Sequence, residues 1–387
     1  MQAKVIQNSS VVFPDRILKQ DLWINPAGRV SSPMDLEASE VERIDGRGCF
    51  AYPGMIDVLT HGYGNHHYGD ANPDAIRENS LALPAHGVTA FAPSIISQEK
   101  QTHLELLRQL SRSIESPGAR VLGLHSEGPC LAQAGAHSLK NLILPSEKLA
   151  YELLEACNGT LAFLTLAPEL EGADAFCRIL SAEGVGLHVG HSRALAGDVA
   201  KWPDMGIQCA THLFNVPAPL PAAPGPGLSP VSLCDAILSQ PGLACGVICD
   251  GIHVNPLHIR LLTQLPVDRL VLETDSMKGS GKPSGRSELY PGEWIEVRAD
   301  GASRTADGHL AGSSLTSDRA LRNLIKFTGI SLSQASHATS LNPARLAGRD
   351  QDLGSLEIGK QADILLLDPE QLTVTAAWVG GKQVFAS

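Results

Sequence analysis

Short apolar runs recur through the middle of the chain: Met55–Leu59, Val88–Pro93, Val121–Glu127, Leu161–Ala167, Gly186–His191, Ile207–His212, Leu243–Asp250 and Leu270–Asp275. Each has the length of a buried strand, and most are followed by a helix-like segment such as His103–Ile114 or Pro256–Gln264. A strand that feeds a helix and returns to a parallel neighbour builds a parallel sheet. Eight such units predict an α/β fold, a TIM-type (β/α)8 barrel. The two ends of the chain read differently. Lys4–Ile6, Val11–Phe13, Leu22–Ile24 and Arg29–Val30 are strand-like with turns between them. So are Ala362–Leu367 and Thr373–Val379, with a turn at Gly380–Gly381. The expectation is a small β-sandwich-like domain assembled from residues 1–52 and 346–387, with the barrel over 53–345.

Polar residues interrupt this pattern at one end of the runs. His61 follows the first, Glu127 ends the third, His191 the fifth, His212 the sixth and Asp275 the eighth. The C-terminal ends of barrel strands share one face, so these five side chains should converge. Any one of them has an ordinary structural use, a histidine as a hydrogen-bonding group or an aspartate as a helix cap. Their conjunction points to chemistry. One carboxylate and two imidazoles suit a zinc-like cation with open positions for water and substrate. A further aspartate can shuttle the water's proton, which completes the parts needed for hydrolysis. His125 and His188 are expected to pack or to support their neighbours.

Composition narrows the possibilities. A formal charge of −11 lacks the basic footprint of a nucleic-acid surface. No run of about 18 apolar residues predicts a membrane span. The eight cysteines are scattered without a CxxC pair, and Cys245 and Cys249 sit in an apolar run as core residues. That usage, with no apolar leader in the first twenty residues, predicts a cytoplasmic protein.

Longer motifs join these positions. They are Pro53-Gly54-Met55-Ile56-Asp57 with His61-Gly62, Gly123-Leu124-His125-Ser126-Glu127-Gly128-Pro129, and Gly135-Ala136-His137. Gly190-His191-Ser192 and Ala210-Thr211-His212-Leu213-Phe214-Asn215 follow, then Asp250-Gly251-Ile252-His253, Thr274-Asp275 and Leu310-Ala311-Gly312-Ser313. The tail carries Asn342-Pro343-Ala344 and Gly359-Lys360-Gln361-Ala362-Asp363. In order and spacing the chain resembles the N-acetylglucosamine-6-phosphate deacetylases of the amidohydrolase superfamily over nearly its whole length. The resemblance implies an amidohydrolase acting on linear amides. Glu127, His191 and His212 would bind one divalent metal per chain, zinc by default, with iron, cobalt or nickel compatible with the same ligands. Metal-bound water would attack the acetamide carbonyl, with Asp275 as proton shuttle. Ala136, His137 and His253 would contact the sugar or acetamide, Asn215 and Val216 would form a substrate loop, and Leu310, Ala311 and Gly312 would close the pocket. It also implies a small-molecule amino-sugar substrate and a homodimer.

Two departures from the family pattern bear on specificity. Where many members carry His-x-His, this chain has Leu59, Thr60 and His61, so a mononuclear site is expected with His61 as an extra ligand or polar group. The loop Pro217–Pro230 places Ala223 at or near a phosphate-binding arginine of the family, and alanine offers phosphate no hydrogen bond. Arg193, Lys278 and Lys282 are the replacement candidates. Three readings stay open beside the phosphorylated sugar: an unphosphorylated N-acetylhexosamine, another N-acyl compound, and a non-catalytic sugar-binding regulatory protein.

Overall fold

A computed structural model describes residues 1–35, 41–114, 116–215, 229–290 and 292–387. All eight expected barrel strands are present, at Met55–Thr60, Val88–Ile96, Leu124–Glu127, Leu161–Leu166, Gly186–Val189, Ile207–Ala210, Ala244–Ile248 and Leu270–Glu273. Neighbours pair in parallel from the first strand through to the eighth. The last seam closes differently. A single bridge joins Thr60 to Ser276, and the Asp275 N–H donates to the Leu59 carbonyl at 2.9 Å. Beside it the Asp57 carboxylate accepts from the Thr274 hydroxyl at 2.6 Å and the Thr274 N–H at 3.2 Å. A buried side chain thus takes over where a regular ladder would otherwise satisfy the backbone.

Side chains alternate along each strand and fill two layers. Ile56, Val58, Ala90, Ala92, Phe163, Cys209 and Val271 pack together on one side of the strands. Phe91, Leu164, Leu187 and Leu272 belong to the other, larger core, which includes the buried faces of the helices. Helix Lys100–Arg112 buries Leu104, Leu106, Leu107 and Leu110, and begins where Glu99 accepts from the N–H groups of Gln101 and Thr102. That cap starts the helix three residues before the apolar spacing at His103 becomes visible. Helix Pro256–Leu262 begins where expected, with Asn255 as its cap and proline in its first turn. Cys245 and Cys249 are buried as expected, and no helix among the described residues is long and apolar enough to cross a membrane.

The chain ends form two sheets. Lys4–Gln7, Leu22–Ile24, Val30–Ser31 and Glu42–Asp45 make a four-stranded sheet. Ser10–Val12, Ile17–Lys19 and Phe50–Pro53 join Ile364–Leu367, Val374–Val379 and Lys382–Ala386 in a six-stranded one. The seam between the termini is the antiparallel pair Phe50–Pro53 with Ile364–Leu367, and Ile6, Ile24, Ala51, Leu366 and Trp378 fill the core. A second antiparallel sheet was not foreseen: Gly285–Tyr290, Glu293–Val297, Ala302–Thr305 and Leu310–Ser313, inserted after the eighth barrel strand. Charged residues break up its first three strands and the fourth has only four residues, so no apolar run marks them. It carries Leu310–Gly312 to the barrel mouth.

Helix Ser317–Thr328 follows, and its first turn is tied to the opposite side of the seam. Tyr63 donates to His86 at 2.5 Å, His86 Nδ1 donates to Asp318 at 3.1 Å, and Arg322 reaches the other Asp318 oxygen at 2.8 Å. Burial pushes the Asp318 carboxyl up, but His86, Thr316 and Arg322 outweigh it and bring it down to about 2. A depressed carboxyl stabilises the fold above its unfolded value and loses that contribution as pH falls through the folded one. Asp318→Asn should therefore cost on the order of 2 kcal/mol at pH 7. The gap in denaturation midpoint between variant and wild type should narrow as pH drops from about 4 to 2, which urea titrations at pH 7 and pH 3 would measure.

Candidate active site

The mouth of the barrel is built from strand ends bent out of the sheet. His191, His212 and Asp275 have φ of +51°, +32° and +49°. The left-handed region is uncommon for side-chain-bearing residues, and such backbone clusters at functional sites. Here it turns each chain away from its ladder just after the strand.

Glu127, the last residue of the third strand, is the hub. His212 Nε2 lies 2.9 Å and His191 Nε2 3.3 Å from one carboxylate oxygen. His61 Nε2 lies 3.0 Å and His137 Nε2 3.4 Å from the other. His61 Nε2 also lies 3.1 Å from Asp275 Oδ1. All six groups are buried. The far side of each ring assigns its proton. His61 Nδ1 faces the Ser94 carbonyl at 3.0 Å and His191 Nδ1 the Gln133 carbonyl at 3.1 Å. A carbonyl only accepts, so both Nδ1 atoms carry hydrogen and both Nε2 atoms face inward. His137 is the reverse, because its Nδ1 accepts from the Ser97 N–H at 3.1 Å. Its hydrogen therefore sits on Nε2 and faces the site as a donor.

Charge follows geometry. Burial opposes a charged Glu127, but His137, His191 and His212 hold its carboxyl well below the usual range. Burial likewise opposes protonated His61 and His212, yet Asp275 and Glu127 lift the first to about 10 and Glu127 lifts the second to about 9. His191 goes the other way, pushed by burial to about 4. Beneath the site, burial raises Asp57 to about 6 and Glu273 to about 8.

This set fits a divalent cation. The ligand atoms of His61, Glu127 and Asp275 lie within 4.8 Å of one another, as do those of Glu127, His137 and His191. His61 Nε2 is buried between two carboxylate oxygens, at 3.0 and 3.1 Å. Oxygen and imidazole donors suit zinc and neighbouring first-row metals.

Above the cluster opens a cavity with about 440 Å³ of empty volume. It is lined by His61, Glu127, His137, His191, His212, Asn215 and Asp275 on its polar side. Ile96, Ala136, Met277, Leu289, Leu310 and Gly312 make the apolar wall. Ala311 is buried behind that wall with Ile96, Met277, Leu289 and Ile295. Gly312, at φ +52°, leaves the space that Met277 fills, since a Cβ there would stand 2.2 Å from Met277 Cγ.

Most of the expected site residues thus meet in one place, and several do not. His253 is not among the residues lining this cavity. Its Nδ1 is bonded to Asp250 at 2.6 Å, and its Nε2 is buried without a partner among the described residues. Arg193 is exposed, with its N–H donating to Glu169 at 2.5 Å. Lys278 pairs with Asp70 at 2.8 Å, and Lys282 contacts Asn65. Val216 and Ala223 lie outside the described residues. His125 has the supporting role expected of it, bonding the Val58 carbonyl at 2.7 Å and Thr165 at 2.9 Å. Ile96, Met277 and Leu289 were missed because nothing in an apolar residue marks it as pocket rather than core. Glu273 had a signal, a carboxylate inside the apolar strand Leu270–Glu273.

A parallel barrel with this cluster at its mouth is the architecture of a metal-dependent hydrolase. The chain belongs to the amidohydrolase family, whose sequence profile matches residues 50–385, and is an enzyme acting on amide bonds. Within that family it sits with the N-acetylglucosamine-6-phosphate deacetylases. It is 33% identical to the one from Homo sapiens, with 99% of this chain and 96% of the relative covered. It is 32% identical to the N-acetylgalactosamine-6-phosphate deacetylase of Escherichia coli O157:H7, covering 95% and 97%. The fold is similar to that of the Thermotoga maritima N-acetylglucosamine-6-phosphate deacetylase, with TM-score 0.86, 29% identity and coverage of 99% and 100%. It is also similar to that of an alanine mutant of the Mycobacterium smegmatis enzyme in complex with N-acetyl-D-glucosamine-6-phosphate, with TM-score 0.88, 28% identity and coverage of 100% and 99%.

Proposed function

We propose that this enzyme removes acetate from an N-acetylated amino sugar, most simply N-acetylglucosamine 6-phosphate or a related hexosamine. The observation that carries the reading is the Glu127 hub with Asp275 beside it, opening onto an apolar wall. Glu127, His191 and His212 would hold one divalent cation, zinc by default, and His61 stands within reach as a further donor. A cation there lowers the pKa of water and polarises an amide carbonyl. Asp275 takes the proton from the attacking water and delivers it to the amine nitrogen as the C–N bond breaks, giving acetate and the free amino sugar. His137 offers its Nε2–H to the substrate, held in that tautomer by Ser97. Ile96, Met277, Leu289 and Leu310 enclose the acyl methyl and exclude water.

The reading makes metal binding proton-linked. His212 is raised to about 9, so in the metal-free protein its Nε2 is protonated at neutral pH and must release that proton to bind. Zinc affinity should rise with pH, by about tenfold per pH unit per proton displaced between pH 6 and 8. Chelator competition across that range checks it, and a flat profile would count against His212 as a ligand.

The 6-phosphate is the part with least support in the chain. No Lys or Arg lines the cavity among the described residues, and residues 216–228 contain none in the sequence. Acetate release from N-acetylglucosamine, N-acetylgalactosamine and their 6-phosphates tests the whole reading. Turnover of at least one is expected. Preference for a phosphorylated sugar would assign a cation outside the cavity lining, Arg193 first. Equal turnover of the free sugars would show that the 6-position is not read. Silence on all four would overturn the amino-sugar assignment.

A further inference from the structure

His61, His191 and His212, three of the four imidazoles around Glu127, are not held alike. His61 and His191 each anchor their ring through Nδ1 to a carbonyl, at 3.0 and 3.1 Å. His212 Nδ1 is buried and has no hydrogen-bond partner among the described residues. Its ring is held by the Glu127 contact at Nε2, 2.9 Å, and otherwise by the main chain that carries it. That main chain sits at φ +32°, where the N–H no longer points along the ladder. On either side the backbone is held by neighbouring strands. Thr211 N–H donates to the Val189 carbonyl at 2.8 Å, and Leu213 N–H to the Gly246 carbonyl at 2.8 Å. Between them, His212 N–H is taken by the side chain of Glu273, which belongs to the eighth strand, one strand beyond the neighbour.

To reach it the carboxylate passes over Gly246 of the seventh strand. A Cβ at Gly246 would stand 2.4 Å from Glu273 Oε1 and 2.6 Å from both Cδ and Oε2, closer than atoms can approach. Glu273 is 1% exposed, and its Oε2 has no hydrogen-bond partner among the described residues. Burying a carboxyl with one oxygen unsatisfied is costly, and packing alone would favour the aliphatic residues found elsewhere in that strand.

We propose that Glu273 is a positioning residue that aims His212 at the metal, and that Gly246 is the gap through which it acts. The inference rests on the reading of His212 as a metal ligand. Groups that orient a ligand from behind commonly change metal affinity by about 10- to 100-fold when lost.

The test is cobalt binding to the full-length protein, by chelator competition and by the visible absorption of the bound ion, after circular dichroism has verified each variant's fold. Glu273→Gln keeps an oxygen that accepts the same N–H, and should bind within about threefold of wild type with an unchanged spectrum. Glu273→Ala should lose about 10-fold or more and shift the absorption bands. Gly246→Ala should lose a similar amount by displacing the carboxylate. The double variant should be no weaker than the worse single one, because the new methyl then occupies vacated space. Wild-type affinity and spectrum in Glu273→Ala would overturn the proposal, and so would Glu273→Gln as weak as Glu273→Ala. His212→Ala is the separate control. If it binds cobalt like wild type, the assignment of His212 as a ligand fails first and takes this inference with it.

Discussion

Asp275→Asn is expected to keep its metal and lose about 10²–10⁴-fold in kcat. Asparagine has the same shape, and the backbone that places it is independent of the side chain. The Asp275 N–H is held by the Leu59 carbonyl at 2.9 Å, and the Asp275 carbonyl accepts from the Ser313 N–H at 2.7 Å. What the amide cannot do is accept a proton from water and return it to an amine. The geometry leaves few substitutes. Glu127 is committed to four imidazoles, and His137 presents a hydrogen rather than a lone pair. Acetate-release kinetics with metal content measured on the same sample would check it. A variant within tenfold of wild type would remove Asp275 from the chemistry.

Glu127→Ala should fail in a different way. Its two oxygens stand between His212 and His191 on one side and His61 and His137 on the other, at 2.9 to 3.4 Å. Without them the site loses its central anion and one donor, while the imidazoles remain buried. Breaking a buried charge pair by removing one partner costs about 3–5 kcal/mol. Expressed as metal affinity that is roughly 10²- to several-thousand-fold, enough for metal to be lost on dialysis and for turnover to vanish with it. The two variants separate the roles, since Asp275→Asn should be metal-replete and slow, and Glu127→Ala metal-depleted and slow. Elemental analysis beside kinetics distinguishes them. Full metal occupancy in Glu127→Ala would move the ligand set to His61 and Asp275.

The polar cluster was legible in the chain because strand ends carry their own signal. Glu127, His191, His212 and Asp275 each close an apolar run, and parallel connectivity puts the ends of such runs on one face. His253 looked equivalent by motif yet is bonded to Asp250 and absent from the cavity lining, since a loop residue has no ladder to dictate where it points. The four-stranded sheet over 285–313 was invisible for the opposite reason: charged residues interrupt its first three strands, and part of its burial comes from Leu289, Ile295 and Ala311 packing with Ile96 and Met277 near the barrel mouth. It supplies Leu289, Leu310 and Gly312 to the pocket wall.

By itself the sequence determined the eight strands, their shared polar end and the pairing of both termini in one β region. Those features follow from local hydrophobic periodicity and from side-chain chemistry, which any fold must respect. Only the tertiary structure decided which nitrogen of each histidine faces the metal site. That depends on whether a carbonyl or an N–H waits behind the ring: Ser94 and Gln133 for His61 and His191, and the Ser97 amide for His137. It also decided that Glu273, two strands away, reaches His212 over the glycine of the strand between. Hydrogen bonds between residues about sixty positions apart are set by how strands stack side by side, and no periodicity along one strand encodes them.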